Sequence, residues 1–177
     1  MRLVGILGGV SWESTAVYYR LMNREVAARL GGLHSARILL HSFDFAVFAE
    51  LQKRGAWPAI GDSLASEATR LEQAGAEVIM LATDTLHYVA TAIERSITVP
   101  FIHIADPTGK ALKASGIRRA GFLGTKHSME LPFWRTRLSE GFDIDMVIPE
   151  APAREMVHRV IYEELCCGRL EDSSRRA

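Results

Sequence analysis

Residues 4–15 read VGILGGVSWEST, a short apolar run that closes on Gly8-Gly9 and gives way to Ser11-Trp12-Glu13. An apolar run of this length bounded by glycine reads as a buried strand, and serine followed two residues later by an acid reads as a helix start. From there an apolar stripe of Tyr18, Met22, Val26 and Leu30 steps by four until Gly31-Gly32 stops it. Strand, glycine turn and helix make one βα unit, and the chain goes on repeating it. Ile38–Leu40 is the next strand. After a connection containing Trp57-Pro58, a helix carries Ile60, Leu64, Ala68 and Leu71 on one side and ends at Gly75. Val78–Leu81 is a third strand and Asp84–Glu94 a helix. Val99–Ile104 is a fourth strand, and Pro107–Ser115 a helix closed by Gly116. Four βα units predict an α/β fold, a parallel four-stranded sheet with helices on both faces.

The opening stretch then recurs. Residues 120–131, AGFLGTKHSMEL, repeat the strand, the glycine turn and the helix start 116 positions further on. A strand at Ile144–Ile148 and a helix bearing Met156, Val160 and Ile161 follow, ending near Gly168. With two βα units in place of four, the expected organisation is a first domain over 1–116. An incomplete second α/β domain of similar type then occupies 117–177.

Composition narrows the ligand classes. The 177 residues are 48% apolar and 24% charged, and 21 Lys and Arg balance 21 Asp and Glu. That balance lacks the electrostatic footprint of a nucleic-acid or acidic-membrane binder, and favours a small neutral or zwitterionic ligand. Cys166 and Cys167 are the only cysteines and are adjacent, which excludes a disulfide scaffold and a cysteine-rich zinc site. The N-terminal apolar run leads into Glu13 and a helix instead of a cleavage site. No stretch reaches the 18 or so apolar residues of a membrane span, so the cytoplasm is the expected compartment.

Glycine spacing argues against a phosphate loop. Gly5-x-x-Gly8-Gly9 is not G-x-G-x-x-G, and Thr108-Gly109-Lys110-Ala111 lacks the P-loop's upstream glycine and its following Ser or Thr. The amides at Ser11 and Trp12 still offer an anion site at a helix start. The sharpest chemistry is LATDTLH, residues 81–87, at the carboxyl end of the third strand. In open parallel sheets ligands bind outside that end. Thr83, Asp84 and Thr85 can hold a carboxylate or an ammonium there, or Thr83 or Asp84 can simply cap the helix. Thr125, after Gly124, is the matching hydroxyl of the second repeat. His87 and His103, near strand ends, are acid/base candidates or structural residues. His34 and His41 read as surface or strand residues and His158 as helical. No pair has metal-ligand spacing, and no G-x-S-x-G elbow occurs.

Taken together, GILGGVSWEST, RLGGLHSA, LHSFDF, HIAD, GFLGT and IYEELC resemble the aspartate/glutamate racemase family, whose amino-acid racemases begin GILGGMSWEST. The resemblance implies two similar α/β domains, a small amino-acid or dicarboxylate substrate, no pyridoxal phosphate, no metal, and commonly a homodimer. It also implies two cysteine acid/bases, one opening a C-T-N-T motif and one in a G-C-T motif, each needing a lowered thiol pKa. Relatives in the wider superfamily act on hydantoins, malonates or maleate.

Carried over position by position, the first motif is Ala82-Thr83-Asp84-Thr85, so alanine stands at the cysteine position and aspartate at the asparagine. Thr83, Thr85 and Thr125 match substrate-binding groups, and Ser11 and Gln52 stand where cleft-lining residues are expected. Asp84 places a negative charge beside a bound carboxylate. The second cysteine motif has no counterpart, and Cys166 and Cys167 do not match it. The expectation is an amino-acid racemase by family, impaired in this chain, with a binding-only protein or a truncated gene product as the alternatives.

Overall fold

The computed structural model describes Met1–Arg176, and these residues divide into two compact units, Met1–Ile102 and the residues from His103 on. In the first, β1 (Val4–Gly8), β2 (Ile38–Ser42), β3 (Val78–Leu81) and β4 (Phe101–Ile102) form one parallel sheet in the order β2-β1-β3-β4. The helices flanking it are α1 (Trp12–Leu30), α2 (Phe45–Lys53), α3 (Trp57–Gln73) and α4 (Ala90–Ser96). The expected four-stranded parallel α/β sheet is therefore present. Its inner strands are nearly continuous in apolar residues, because both faces are covered. Ile6 and Leu7 on β1 and Ile79 and Leu81 on β3 are buried. They join Ile60, Leu64, Ala68 and Leu71, the α3 face anticipated from spacing.

Four local expectations change. The Tyr18, Met22, Val26, Leu30 stripe is not a core face, since Leu30 is 55% exposed and Thr15 alone among α1 residues is buried. A step of four overshoots the helical turn by about 40°, so three steps carry the stripe well round the cylinder. The connection before Trp57 holds α2, capped by Asp44, whose Oδ1 accepts from the Ala46 amide at 3.0 Å. The helix after β3 is split into a 3-10 turn, Thr85–Val89, and α4. The fourth strand is shorter than Val99–Ile104 for two reasons. The Thr98 and Val99 amides donate to the Glu72 carboxylate at 2.8 and 2.9 Å instead of to a ladder, and His103 already folds into the next helix.

That helix, α5 (Ala105–Ala114), lies in the second unit with β5 (Arg119–Gly121), α6 (Lys126–Glu130), α7 (Phe133–Phe142), β6 (Asp145–Val147), α8 (Ala151–Glu163) and α9 (Asp172–Arg176). β5 and β6 pair in parallel with Arg119 opposite Asp145. α5, read from sequence as the last helix of the first domain, packs on α7. Phe142 covers the bare backbone of Gly109, where a Cβ would fall within its ring. Asp106 takes a bidentate bond from Arg137 at 2.6 and 2.8 Å, and this holds its carboxyl below the usual range. Trp134, Leu138, Ile144 and Met146 form the core beneath. Cys166 and Cys167 occupy a 3-10 turn after α8, half-buried and exposed. No described helix is long and apolar enough to cross a membrane.

The turn after β1 has no room for a side chain. Gly9 has φ +87°, and a Cβ there would collide with the Phe43 backbone and lie 2.8 Å from Ser42 Oγ. Gly9→Ala is expected to cost about 2–4 kcal/mol, from left-handed strain plus overpacking. Gly55→Ala, at φ +66° with nothing within 4 Å, should cost about 1 kcal/mol from strain alone. Urea unfolding followed by circular dichroism compares them, and equal midpoint shifts would show that the Gly9 approach is not tight.

Candidate functional site

The strand order places the site. Chain connections leave β1 toward β2 on one side and return to β3 on the other, so β1 and β3 flank the switch point, at whose carboxyl side open parallel sheets bind their ligands. At that end β1 runs into Gly8, Gly9 and Ser11, and β3 runs into Ala82, Thr83, Asp84 and Thr85. Leu7 pairs with Leu81, and the Ala82 amide donates to the Leu7 carbonyl at 2.8 Å. Ser14 Oγ is placed to donate both to the Ser11 carbonyl at 2.9 Å and to the Ala82 carbonyl at 3.0 Å. Thr15 Oγ1 accepts from the Gly9 amide at 2.9 Å and is 3.1 Å from the Ser11 carbonyl. The first turn of α1 is thereby bound to the ends of both central strands.

Five of the anticipated residues meet here: Ser11, Ala82, Thr83, Asp84 and Thr85. Ser11 is the N-cap of α1, is 8% exposed, and makes no side-chain capping bond. Its hydroxyl is left at a 19-residue helix N-terminus, a favourable place for a carboxylate. Ala82 is fully buried and Thr85 nearly so, while Thr83 and Asp84 are half-buried. Asp84 precedes the 3-10 turn without a side-chain capping bond, so capping does not account for its carboxylate. It faces α1 instead. The Tyr18 phenol is pushed above its ordinary 10.0, first by burial and then by the Asp84 charge.

Gln52 lies on α2, buried, its main-chain oxygen accepting from the Gly55 amide at 3.0 Å. Thr125 belongs to the second unit. It caps α6, its Oγ1 accepting from the Ser128 amide at 3.1 Å and lying 3.0 Å from Ser128 Oγ.

Both strand-end histidines are held by structure. His87 Nε2 is 3.3 Å from the Leu81 carbonyl, which can only accept, so that nitrogen carries the hydrogen; the ring packs 5.7 Å from Phe101. His103 Nδ1 accepts from the Ala105 amide at 3.2 Å and shapes the start of α5. Of the other four, His41 on β2 pairs with Glu67 at 3.0 Å, and His158 on α8 accepts through Nδ1 from the Lys126 amide; His127 on α6 packs edge-on against His158 at 6.0 Å, and His34 is exposed in the loop after α1. Ser14 and Tyr18 were missing from the anticipated site. Ser14 sits three residues after the N-cap and Tyr18 a further turn along, a spacing that puts both on the side facing β3.

A family model for Asp/Glu/hydantoin racemases matches residues 7–176. A candidate Asp/Glu racemase from Yersinia pestis is 46% identical over 99% of this chain and 76% of its own, with a TM-score of 0.90. An aspartate racemase homologue from Pyrococcus horikoshii OT3 is 30% identical over 99% and 76%, with a TM-score of 0.80. The Picrophilus torridus aspartate racemase, 18% identical over 99% and 71%, shares the fold with a TM-score of 0.75.

The Asp84–Tyr18 relation can be read directly. Asp84→Asn removes the like charge that disfavours phenolate, so the Tyr18 pKa should fall while burial keeps it above 10.0. Ultraviolet titration of tyrosinate, with Tyr18→Phe to assign the transition, measures it. An unchanged transition would mean that Asp84 does not face the phenol.

Proposed function

The chain belongs to the Asp/Glu/hydantoin racemase family, and from that premise we propose that it binds a small α-amino acid, aspartate, glutamate or a relative, at the carboxyl ends of β1 and β3. The chemistry of the family is then proton removal and return at the α-carbon without pyridoxal phosphate or metal, as an amino-acid isomerase of the cytoplasm. Removing the α-proton drives negative charge onto the substrate carboxylate, so donors gathered on that group stabilise the transition state more than the ground state. Ser11, the α1 amides, Gln52, Thr83 and Thr85 are the groups we assign to it, all on the first unit.

One observation limits this reading to impaired catalysis. The residue at the first acid/base position is Ala82, whose methyl has no proton to give or take. Inversion needs an acid/base on each face of the α-carbon, so the first face has lost its group. Asp84 further weakens an anionic ligand by like-charge repulsion. This supports a protein that keeps carboxylate recognition and has little or no racemase turnover. Assembly as a homodimer belongs to the same proposal, supported by Trp12, Tyr19 and Leu21, which α1 leaves 60%, 53% and 55% exposed.

Incubation with L-aspartate and L-glutamate in deuterated water tests it. Saturable calorimetric binding without α-deuteration above the blank is expected. Ala82→Cys should introduce α-deuteration without formation of the D-isomer, because one thiol returns the isotope to the face it came from. Deuteration by the unaltered chain would overturn the impairment, and absence of binding would overturn the ligand assignment.

A further inference from the structure

A second polar site lies at the opposite end of a sheet, wholly within the second unit. Arg118 immediately precedes β5, Asp145 opens β6, and Arg135, Ser139 and Asp143 come from α7 and its C-terminal cap. With Ile144 and Met146 they line an open cleft of about 380 Å³, within the size range of small-molecule pockets. Because it lies at the amino ends of β5 and β6, it is separate from Thr125, which follows the carboxyl end of β5.

The charged side chains of this cleft are solvent-exposed. Arg118 and Arg135 have no ion pair or hydrogen-bond partner for their guanidinium groups among the described residues, and neither has the Asp143 carboxylate. Opposite charges share one cleft yet do not pair with each other. Asp145 is already engaged by Arg119 at 3.2 Å. Asp143 is held in the left-handed conformation at φ 59°, its amide donating to the Ser139 carbonyl at 3.1 Å, so the α7 C-terminus and the Asp143 carboxylate make one negative side. The amino end of the first unit's sheet differs. There the Leu3 amide donates to Glu77 Oε2 at 2.7 Å and Arg37 to the Met1 carbonyl at 3.3 Å, consuming the polar groups internally.

We propose that this cleft is an amino-acid effector site: Arg118 and Arg135 take the carboxylate of a free α-amino acid, and Asp143 takes its ammonium. A single zwitterion bridges charges that do not pair with each other, and no bond is made or broken. The inference does not depend on the ligand assigned to the carboxyl ends of β1 and β3.

Calorimetry on the full chain tests it with L-glutamate, with glutarate, which lacks the ammonium, and with inorganic phosphate. Ser11→Ala and Arg118→Ala/Arg135→Ala separate the two sites, and the arginines have no partners in the fold to lose. Expected is an L-glutamate phase that survives Ser11→Ala and weakens roughly tenfold or more in the double variant, as loss of charge-assisted bonds requires. In Asp143→Asn that phase should weaken while glutarate binding holds or improves. L-Glutamate binding unchanged in the double variant would overturn the site. Phosphate binding that matches L-glutamate and ignores Asp143→Asn would overturn the amino-acid assignment in favour of a simple anion.

Discussion

The Ala82 amide bonded to the Leu7 carbonyl closes the ladder between the two central strands, and the geometry of the first unit's candidate site depends on it. It sets the carboxyl ends of β1 and β3 level, so the two loops leave side by side at the switch point. Gly9 then bends the chain past the Phe43 backbone, and Ser14 ties the new helix back to the Ala82 carbonyl. Each bond is ordinary, but together they specify which amides and hydroxyls can converge on one small molecule.

The sheet was legible because its inner strands are continuous in apolar residues and are bounded by glycine. Val78–Leu81 and the α3 face came directly from that pattern. What stayed hidden was decided by single polar contacts. Glu72 removes Thr98 and Val99 from the ladder, and Asp44 caps a helix that periodicity alone does not announce. At the candidate site, the motif LATDTLH placed Ala82 to Thr85 at a strand end. That Asp84 faces Tyr18 needed the rotation of α1, which depends on Ser14 and Thr15 and not on hydrophobic spacing. The stripe read on α1 shows the same thing in reverse: an i, i+4 ladder of apolar residues drifts round a helix, and only packing says which rung is buried.

Electrostatics divides along similar lines. A chain with equal numbers of acidic and basic residues has no long-range field to steer a ligand, so recognition falls to short-range donors and local charge pairs. Most arginines of the second unit are spent on structure, as in Arg137 with Asp106 and Arg154 with Glu130. Arg118 and Arg135 differ from these in leaving their guanidinium groups open to the cleft they line.

The bonds around residue 82 run through its amide and its carbonyl. Those atoms are the same in every amino acid other than proline, so these bonds do not depend on the side chain, which is limited in bulk and polarity by being fully buried. An alanine in place of a reacting group leaves the ladder, the turn and the helix anchor as they were. Selection for a folded chain therefore acts at this position on bulk and polarity, not on reactivity, and side chains as alike in size as alanine and cysteine are nearly equivalent to it.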